Sequence, residues 1–440
     1  MPSRLNNKND DFLLAFENFI ETKRESEIDV EKSVAEIVAE VRTRGDKALF
    51  DFTRRFDRFE LDAGNFSISK VETAEAVAQC SQEQISALNT AADRIRAFHQ
   101  KQLPEDQSYT DQEGVGLGYR WRTIEAVGMY VPGGTASYPS SVLMNAIPAK
   151  VAGVSRLVMV VPTPDGEINP LVLAAAEVAG VDEIYRIGGA QAVAALAYGT
   201  AFIQPVDKIV GPGNAYVATA KRQVFGVVGI DMIAGPSEIL VVADNKNDPA
   251  WMAADLMSQA EHDTAAQSIL ITDDEAFADD VVQAVDTLQQ RLPRGEIAAQ
   301  SWRDFGAAIT VENLTEAVPL VNRIAPEHLE LAVADPEKLA EKINNAGAIF
   351  LGRHTPEALG DYVGGPNHVL PTSRSARFSS GLGVLDFLKR TTILKADENS
   401  IWKIGPAAVI LAEAEGLDAH ALSVSLRLNG YPGGEEKGDG

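Results

Sequence analysis

The hydrophobic positions near the beginning of the chain recur at helical spacing. Over residues 25–59, apolar side chains return every three or four positions, which predicts helices with one buried face. The clearest run is Val34, Ile37, Val38 and Val41. Gly45 and Asp46 interrupt the pattern. We therefore expect a helical N-terminal region.

From about Ile124 onward, short apolar runs rich in β-branched residues alternate with Ala-rich stretches. The runs predict strands at Leu157–Val161 and Ile184–Ile187, and the stretches predict helices at Leu171–Ala179 and Ala190–Ala197. Such alternation is typical of βαβ units, so it predicts a mainly parallel sheet.

A second series of the same kind follows, joined to the first near Gly235. It predicts strands at Ile239–Val242 and Ser268–Thr272, and helices at Met252–Glu261 and after Asp274. The sequence therefore predicts an α/β protein with two layers of this type.

The chain from about Leu382 onward has a different pattern of apolar residues. Helical spacing returns at Val409–Ala414 and Ala419–Ser425. The last residues, 432–440, are polar and rich in glycine, which predicts a disordered tip.

Length and charge limit the class of protein. The 440 residues exceed the roughly 250–300 at which a single core stops growing, so we expect at least two domains. Acidic side chains number 63 against 39 basic ones, a formal charge of −24 without a Lys/Arg-rich run, which argues against a nucleic-acid partner. No apolar run approaches the ~20 residues of a membrane span. The polar start lacks a secretory signal, so we predict a cytoplasmic protein.

Cys80 is the only cysteine in the sequence. A single cysteine excludes an intramolecular disulfide framework and fits a reducing compartment. It also excludes a thiolate metal cage, so a metal would be held by imidazole, carboxylate or amide groups. Five of the six histidines lie in the second half of the chain, at 262, 328, 354, 368 and 420.

Gln259 and His262 lie three residues apart at the end of a predicted helix. Side chains at this spacing share one helix face, so both can reach a single metal ion. A polar C-terminal turn with His262 near the negative end of the helix dipole explains the same residues. Spacing alone leaves both interpretations open.

Glu327 and His328 follow Pro326 at the break between a helix and the strand-like run Leu329–Val333. Loops at strand ends collect catalytic groups in α/β folds. An adjacent carboxyl group and imidazole can serve two separate proton transfers. A solvated turn opened by Pro326 is an equal alternative at this point.

Two further segments place acids and histidines beside glycines. Asp361 and His368 flank a pair of glycines, which permit close backbone approach, although a polar surface loop has the same composition. Glu415 is followed by a glycine and by a helical stretch that carries His420. Taken alone, this second segment indicates only that one helix ends and another begins.

Three glycine-rich loops each follow a strand-like run. They are Tyr130-Val131-Pro132-Gly133-Gly134, Ile187-Gly188-Gly189-Ala190-Gln191 and Val210-Gly211-Pro212-Gly213-Asn214. The second and third lead into a helix, an arrangement that offers backbone N–H groups to phosphate. The chain contains no Gly-x-Gly-x-x-Gly, so the loops alone leave dinucleotide binding undecided.

Together these segments resemble the histidinol dehydrogenase family over about residues 25–430, in matching order and spacing. The motifs that carry the resemblance are Gly-Met-Tyr-Val-Pro-Gly-Gly, Ile-Gly-Gly-Ala-Gln-Ala, Val-Gly-Pro-Gly-Asn, Ala-Gly-Pro-Ser-Glu, Ser-Gln-Ala-Glu-His-Asp, Ala-Pro-Glu-His-Leu, Gly-Asp-Tyr and Glu-Gly-Leu-x-Ala-His. No functional position departs from the family's pattern.

The resemblance implies a role for each candidate residue. The ligands of one zinc ion (Zn2+) per subunit would be Gln259, His262, Asp361 and His420. The proton-transferring pair would be Glu327 and His328. The NAD contacts would be Tyr130, Gln191 and Asn214. The substrate would meet the zinc ligands and His328, and also Ser237, His368 and Glu415.

By the same resemblance, the chain would oxidise L-histidinol to L-histidine, the last steps of histidine biosynthesis. Two hydrides would pass to two NAD molecules through an aldehyde, L-histidinal, that stays bound. A neutral His328 can accept the hydroxyl proton as the first hydride leaves, and Glu327 can activate the water that the aldehyde must gain. Zinc with open positions would orient the substrate's nitrogens.

The resemblance further implies incomplete Rossmann-like domains with mainly parallel sheets and small helical terminal regions, in an intertwined homodimer with shared active sites. Glu415 and His420 would come from the partner's C-terminal region. The implied divisions are an N-terminal arm at 1–24, a discontinuous α/β domain with the metal and catalytic residues at 25–104 and 237–381, an α/β domain with the NAD-contact loops at 105–236, and a C-terminal helical region at 382–440.

Two other functions compete with this interpretation. A paralogous zinc and NAD dehydrogenase acting on another small alcohol would use the same scaffold, but Glu415 and His368 argue against it. A non-catalytic two-domain protein would use the glycine loops to bind a small ligand, but the Glu327-His328 pair argues against that.

Overall fold

The computed structural model describes residues 1–22, 30–133 and 138–429, so the predicted tip at 432–440 lies outside the described residues. The chain forms two compact units. The larger unit contains Met1–Gln102 and Ile124–Phe387, and the smaller unit contains Leu103–Thr123 and Leu388–Gly440. Among the described residues, no helix has both the length and the apolar character that crossing a bilayer requires.

The strands of the described residues are numbered in chain order. They are β1 (Ser3–Asn6), β2 (Gln107–Thr110), β3 (Gly116–Thr123), β4 (Ala126–Tyr130), β5 (Arg156–Val160), β6 (Glu183–Tyr185), β7 (Lys208–Val210), β8 (Gly229–Ile230), β9 (Glu238–Ala243), β10 (Gln267–Thr272), β11 (Ala307–Thr310), β12 (His328–Ala332), β13 (Ala348–Leu351) and β14 (Leu388–Lys395).

The α-helices are numbered in the same way. They are α1 (Phe12–Glu21), α2 (Glu31–Arg44), α3 (Asp46–Asp57), α4 (Lys70–Gln79), α5 (Gln82–Gln100), α6 (Pro139–Ala152), α7 (Pro170–Ala179), α8 (Gly189–Tyr198), α9 (Ala215–Val224), α10 (Pro249–Ala260), α11 (Glu275–Leu288), α12 (Gly295–Phe305), α13 (Ala317–Ile324), α14 (Pro336–Ala340), α15 (Glu357–Tyr362), α16 (Glu398–Ala414) and α17 (Asp418–Leu428). Short 3-10 turns lie at Pro164–Gly166, Leu314–Glu316, Ser375–Arg377 and Val384–Phe387.

The larger unit contains two parallel sheets with the same internal order. One sheet runs β1-β11-β10-β9-β12-β13, and the other runs β6-β5-β4-β7-β8. Leaving β1 aside, both follow the order 3-2-1-4-5 of a doubly wound fold that lacks its sixth strand. The predicted α/β class with incomplete Rossmann-like sheets is confirmed. The order in which successive strands are added reverses between β9 and β12 in one sheet, and between β4 and β7 in the other, which makes these positions the switch points of the two sheets.

The strands of these sheets are buried on both faces, as their continuous apolar runs require. In β9, Leu240 and Val242 belong to a core shared with α1 and α13, whereas Ile239 and Val241 belong to a core shared with α10 and α11. Successive side chains of a strand point to opposite faces, so one strand joins both cores. The strands and helices predicted in both series are confirmed to within three residues at each end.

The helical N-terminal region is also confirmed, as α2 and α3. The two helices meet at Gly45, whose φ of +57° suits a residue without a side chain. Helices α2–α5 pack against α6–α9 beside the five-stranded sheet. These contacts join the helices of residues 25–104 to the region at 105–236. The predicted domain that combines 25–104 with 237–381 stays a prediction. The arm at 1–24 contributes β1, which pairs with β11.

The smaller unit contains an antiparallel sheet and two helices. Its strand order is β14-β3-β2, and α16 packs against α17. The two helices confirm the helical pattern predicted at 409–414 and 419–425. The sheet was not predicted, because it joins residues 116–123 to residues 388–395, and local spacing contains no signal for such distant pairing.

Candidate active site

The predicted catalytic residues, Glu327 and His328, lie at the amino end of β12, beside the amino end of β9. His328 begins β12 and pairs in register with Ile239 of β9, which brings Glu327 opposite Glu238. This is the switch point of the six-stranded sheet, although ligands of doubly wound sheets usually bind at the carboxyl ends. The candidate catalytic residues of this sheet therefore lie at the amino ends of its strands.

A cavity of about 1220 Å³ opens at this edge within the larger unit. Seven of the predicted metal, substrate and catalytic residues line it, together with one predicted NAD contact; they are Ser237, Gln259, His262, Glu327, His328, Asp361, His368 and Asn214. The volume exceeds the roughly 300–1,000 Å³ of an ordinary small-ligand pocket, so the cavity has room for more than one ligand.

Two predicted metal ligands carry buried polar atoms that the fold leaves unpaired. Gln259 lies in the last turn of α10, and His262 lies in the turn that follows the helix. Gln259 Oε1 and His262 Nδ1 are both buried without a hydrogen-bond partner among the described residues. Leaving such atoms unpaired is costly, whereas an amide oxygen and an unprotonated imidazole nitrogen can both bind a metal ion. The residues present therefore fit a metal.

Asp361, the third predicted ligand, lies close to two of the three histidines that line the cavity, His328 and His368. Its Oδ1 is 3.7 Å from His328 Nε2 and 3.8 Å from His368 Nδ1. The ligand atoms of His328, Glu357 and Asp361 also lie within 4.8 Å of one another, a group that could hold a metal ion. That group shares only Asp361 with the predicted ligands, and Glu357 was not predicted.

The environment of His328 suits a general base. Its Nδ1 lies 2.9 Å from the carbonyl oxygen of Glu238, and a carbonyl can only accept, so Nδ1 carries the hydrogen. The neutral ring then keeps its lone pair on Nε2, which is buried without a hydrogen-bond partner in the described part of the chain. Burial lowers the pKa of His328, so the ring is neutral near pH 7.

Glu238 is a functional neighbour that the sequence prediction missed. Its backbone N–H donates to Glu327 Oε2 at 2.9 Å, and the N–H of Glu327 donates to Glu238 Oε2 at 3.3 Å. Glu238 Oε1 accepts the N–H of Ser373 at 3.0 Å. The available signal was an acid beside Ser237, directly before a continuous apolar strand.

Two buried carboxyl groups and a partly buried one extend from the base to α10; they are those of Glu357, Glu330 and Asp255. Glu357 Oε1 lies 3.8 Å from His328 Nε2, and the N–H of Glu357 donates to Glu330 Oε1. Glu330 and Asp255 share a side-chain hydrogen bond. Burial raises the pKa of Glu357 and of Glu330 well above the ordinary range, and raises the pKa of Asp255 to about 6. The sequence prediction missed these acids, although Glu330 lies within the apolar run that forms the buried strand β12.

Both ring nitrogens of His368 face protein atoms. Nδ1 lies 3.0 Å from the carbonyl oxygen of Asp361, and Nε2 lies 3.3 Å from the hydroxyl of Ser141. Nδ1 therefore donates to the carbonyl, and Nε2 can accept from the hydroxyl. Burial lowers the pKa of His368, which keeps the ring neutral.

The predicted NAD contacts gather at the carboxyl edge of the five-stranded sheet. Tyr130 ends β4, Gln191 lies in the first turn of α8, and Asn214 caps α9. The hydroxyl of Tyr130 accepts the N–H of Gly189 at 3.1 Å, which ties two loops together. Gln191 Oε1 is buried without a hydrogen-bond partner among the described residues. This edge, with two helix N-termini, is where doubly wound sheets bind dinucleotides.

Glu415 and His420 belong to the smaller unit. Glu415 directly follows α16, His420 lies in the first turn of α17, and both are exposed in the single chain. Their assignment to the metal and substrate site stays a prediction.

The fold and the site define an α/β enzyme with a buried glutamate–histidine pair on one parallel sheet and glycine-rich loops on the other. The model of the family described as histidinol dehydrogenase matches residues 20–428. The chain belongs to the histidinol dehydrogenase family, as its motifs predicted.

Relatives and a solved structure agree with this membership. The chain is 63% identical to the histidinol dehydrogenase of Rhizobium meliloti (strain 1021) over 429 residues, 98% of this chain and 99% of the relative. It is 65% identical to the histidinol dehydrogenase of Rhodospirillum rubrum over 430 residues, with the same coverage. The crystal structure of histidinol dehydrogenase from Elizabethkingia anophelis superposes with a TM-score of 0.93 at 38% identity, covering 97% of this chain and 98% of that chain.

Proposed function

We propose that this chain is an L-histidinol dehydrogenase that produces L-histidine through bound L-histidinal and reduces two NAD molecules. The observation that carries the proposal is the unpaired Nε2 of His328, a buried and neutral base in the same cavity as the unpaired atoms of Gln259 and His262. Oxidation of an alcohol needs a base that accepts the hydroxyl proton, and His328 can be that base. A metal ion held by Gln259 and His262 would bind the nitrogen atoms of the substrate.

The protein residues divide the proton transfers between them. In the first oxidation, His328 Nε2 accepts the hydroxyl proton while a hydride leaves the carbinol carbon for NAD, which gives the aldehyde. In the second, the Glu327 carboxylate accepts a proton from water as the water oxygen bonds to the aldehyde carbon. The resulting hydrate anion loses the second hydride to a second NAD and yields the carboxylic acid. Ser237, His368 and Glu415 contact the substrate.

One zinc ion per subunit would be held by Gln259, His262, Asp361 and His420. When bound, it would fix the amine and imidazole nitrogens of the substrate and so orient the carbinol carbon. The donor types support this assignment, since two imidazoles, a carboxylate and an amide oxygen make a nitrogen and oxygen site without thiolates.

NAD would bind along Tyr130, Gln191 and Asn214. The closeness of backbone in these loops supports the assignment, because a Cβ added to Gly211 would overlap the carbonyl oxygen of Tyr130, and one added to Gly213 would overlap Val217. Glycine at these two positions therefore allows the loop backbone to lie close to β4 and α9, and the backbone N–H groups at the N-terminus of α9 would face the dinucleotide phosphates.

The active enzyme would be a cytoplasmic homodimer in which Glu415 and His420 enter the partner's site. Apolar residues of α16 and α17 support an interface on the smaller unit. Each of them is more than half exposed in the single chain; they are Ile410, Leu411, Leu422 and Leu426. Exposed apolar groups of this kind mark protein contact surfaces.

Steady-state NADH formation tests the proposal. With NAD and L-histidinol, the purified protein should form two NADH for each L-histidine. A paralogous dehydrogenase would prefer another small amino alcohol, and a binding protein would form no NADH with any of them. Either result would refute the proposal.

A further inference from the structure

A buried ion pair lies beneath one of the glycine-rich loops. Lys221 of α9 pairs with Asp231, which directly follows β8, and their side chains are only 3% and 1% exposed. The pair is also hydrogen-bonded through Lys221 Nζ and Asp231 Oδ1. Replacing such a pair by apolar groups is often neutral for stability, so stability alone does not explain its presence.

The ion pair holds both polar backbone groups of a single residue, Gly211. The N–H of Gly211 donates to Asp231 Oδ2 at 2.8 Å, and its carbonyl oxygen accepts from Lys221 Nζ at 2.9 Å. Gly211 has a φ of +102°, in the left-handed region that favours glycine. The two charged groups therefore fix the orientation of both peptide planes at this position.

Gly211 determines where the rest of its loop lies. It packs against the carbonyl oxygen of Tyr130 at the switch point between β4 and β7. Three residues later, Asn214 caps α9 by accepting the N–H groups of Tyr216 and Val217. Gly211 and Asn214 line the cavity, so a rotation of the Gly211 peptide would displace the N-terminus of α9 at the cavity wall.

We infer that Lys221 and Asp231 are positioning residues for the dinucleotide: their ion pair fixes the loop 211–214 in the conformation that receives NAD. The inference rests on the proposed function. An apolar pair could fill the same volume, but it could not accept a hydrogen bond from the N–H of Gly211 and donate one to its carbonyl oxygen. The pair acts through the backbone and needs no contact with NAD.

Two variants test this inference. Asp231→Asn keeps the shape but removes one charge. Lys221→Met combined with Asp231→Asn removes both charges, so that no isolated charge stays buried if the single variant fails to fold. The dissociation constant of NADH, measured by fluorescence titration, should rise roughly 10-fold to 100-fold, as expected for the loss of a hydrogen bond from a charged group. Bound metal and KM for L-histidinol should stay within twofold of wild type.

A matched control removes another ion pair from the same unit. Arg353 Nη2 lies 2.6 Å from Oδ1 of Asp244, which follows the carboxyl end of β9, opposite to the candidate site. Arg353→Met with Asp244→Asn should leave the NADH dissociation constant unchanged.

Two results would overturn the inference: a folded double variant with wild-type NADH affinity, or equal losses of NADH affinity, bound metal and L-histidinol affinity. Failure of the proposed function is a different outcome. In that case wild-type protein itself would reduce no NAD with L-histidinol, whereas the inference alone fails if the wild type is active and the variants bind NADH normally.

Discussion

The backbone N–H groups of Glu238 and Glu327 each donate to the other residue's carboxylate, at 2.9 and 3.3 Å. The two residues lie opposite each other at the amino ends of β9 and β12. Because the carbonyl of Glu238 also faces His328 Nδ1, this one residue holds both members of the proposed acid–base pair.

Glu238→Gln should lower kcat with little change in KM for L-histidinol. The amide offers one oxygen where the carboxylate offers two, so a backbone N–H of Glu327 or Ser373 loses its acceptor. An unsatisfied buried donor costs about 1–3 kcal/mol, and a similar loss in transition-state stabilisation lowers the rate roughly 10-fold to 100-fold. Steady-state kinetics and metal analysis of the variant measure both effects.

Glu183→Gln is the matched control, since Glu183 begins β6 and pairs with Arg156, away from the cavity. It should leave kcat unchanged. A Glu238→Gln enzyme with wild-type kcat would show that Glu238 does not position the pair.

His262→Ala should remove zinc and activity together, because the variant loses one of the four proposed ligands. Zinc analysis by mass spectrometry after gel filtration provides the measurement. His354→Ala, at an exposed histidine outside the cavity, should keep both. Zinc should also dissociate as the pH falls through the histidine range, since protonated imidazole cannot bind it. Full zinc occupancy in His262→Ala would contradict the ligand assignment.

Asp255→Asn should raise the free energy of unfolding above pH 6. Burial raises the pKa of Asp255 from 3.8 to about 6, so the folded protein binds a proton that the unfolded chain has already released between these values. The unfolding free energy of the wild type therefore falls as pH rises from about 4 to 6, and it stays lower above that range.

The asparagine variant cannot ionise and should escape this loss, with a gain of about 1–2 kcal/mol at pH 7 after solvent screening. Denaturant unfolding of both proteins at pH 4 and pH 7 tests the sign. A gain that is equal at both pH values would mean that ionisation of Asp255 is not its source.

Two inactive variants should restore activity when combined, if each site uses residues of both chains. His328→Phe damages the larger unit and His420→Ala damages the smaller one. A mixed dimer would then contain one doubly damaged site and one intact site. With random assortment, half of the dimers are mixed, so about a quarter of wild-type activity should return after joint refolding. Proven heterodimers without any gain would place His420 in its own chain's site.

The sequence predicted the fold where local patterns are sufficient. Continuous apolar runs such as Ile239–Val242 indicated strands buried on both faces, and Gly45 marked the junction of two helices. The pairing of β3 with β14 was not predicted, because it depends on contacts between segments more than 250 residues apart in the chain.

The candidate site shows the same limit. The position of Glu327 and His328 at a strand end left a solvated turn as an equal alternative, and local spacing left the metal ligands undecided, until the family motifs were combined. Glu238 and Glu357 were missed, since their roles arise from strand pairing and burial. An acid beside or within an apolar run signals burial, but it does not indicate which groups the acid will contact.

The half-reactions of Glu327→Gln test the central claim most directly, namely that one cavity performs two oxidations with a base and a water-activating carboxylate. Only the second oxidation consumes water, so the variant should retain most of its single-turnover rate from L-histidinol to L-histidinal. Its rate from L-histidinal to L-histidine should fall by roughly 10²-fold to 10⁴-fold, the usual contribution of general base catalysis. An equal loss in both half-reactions would contradict this division of roles.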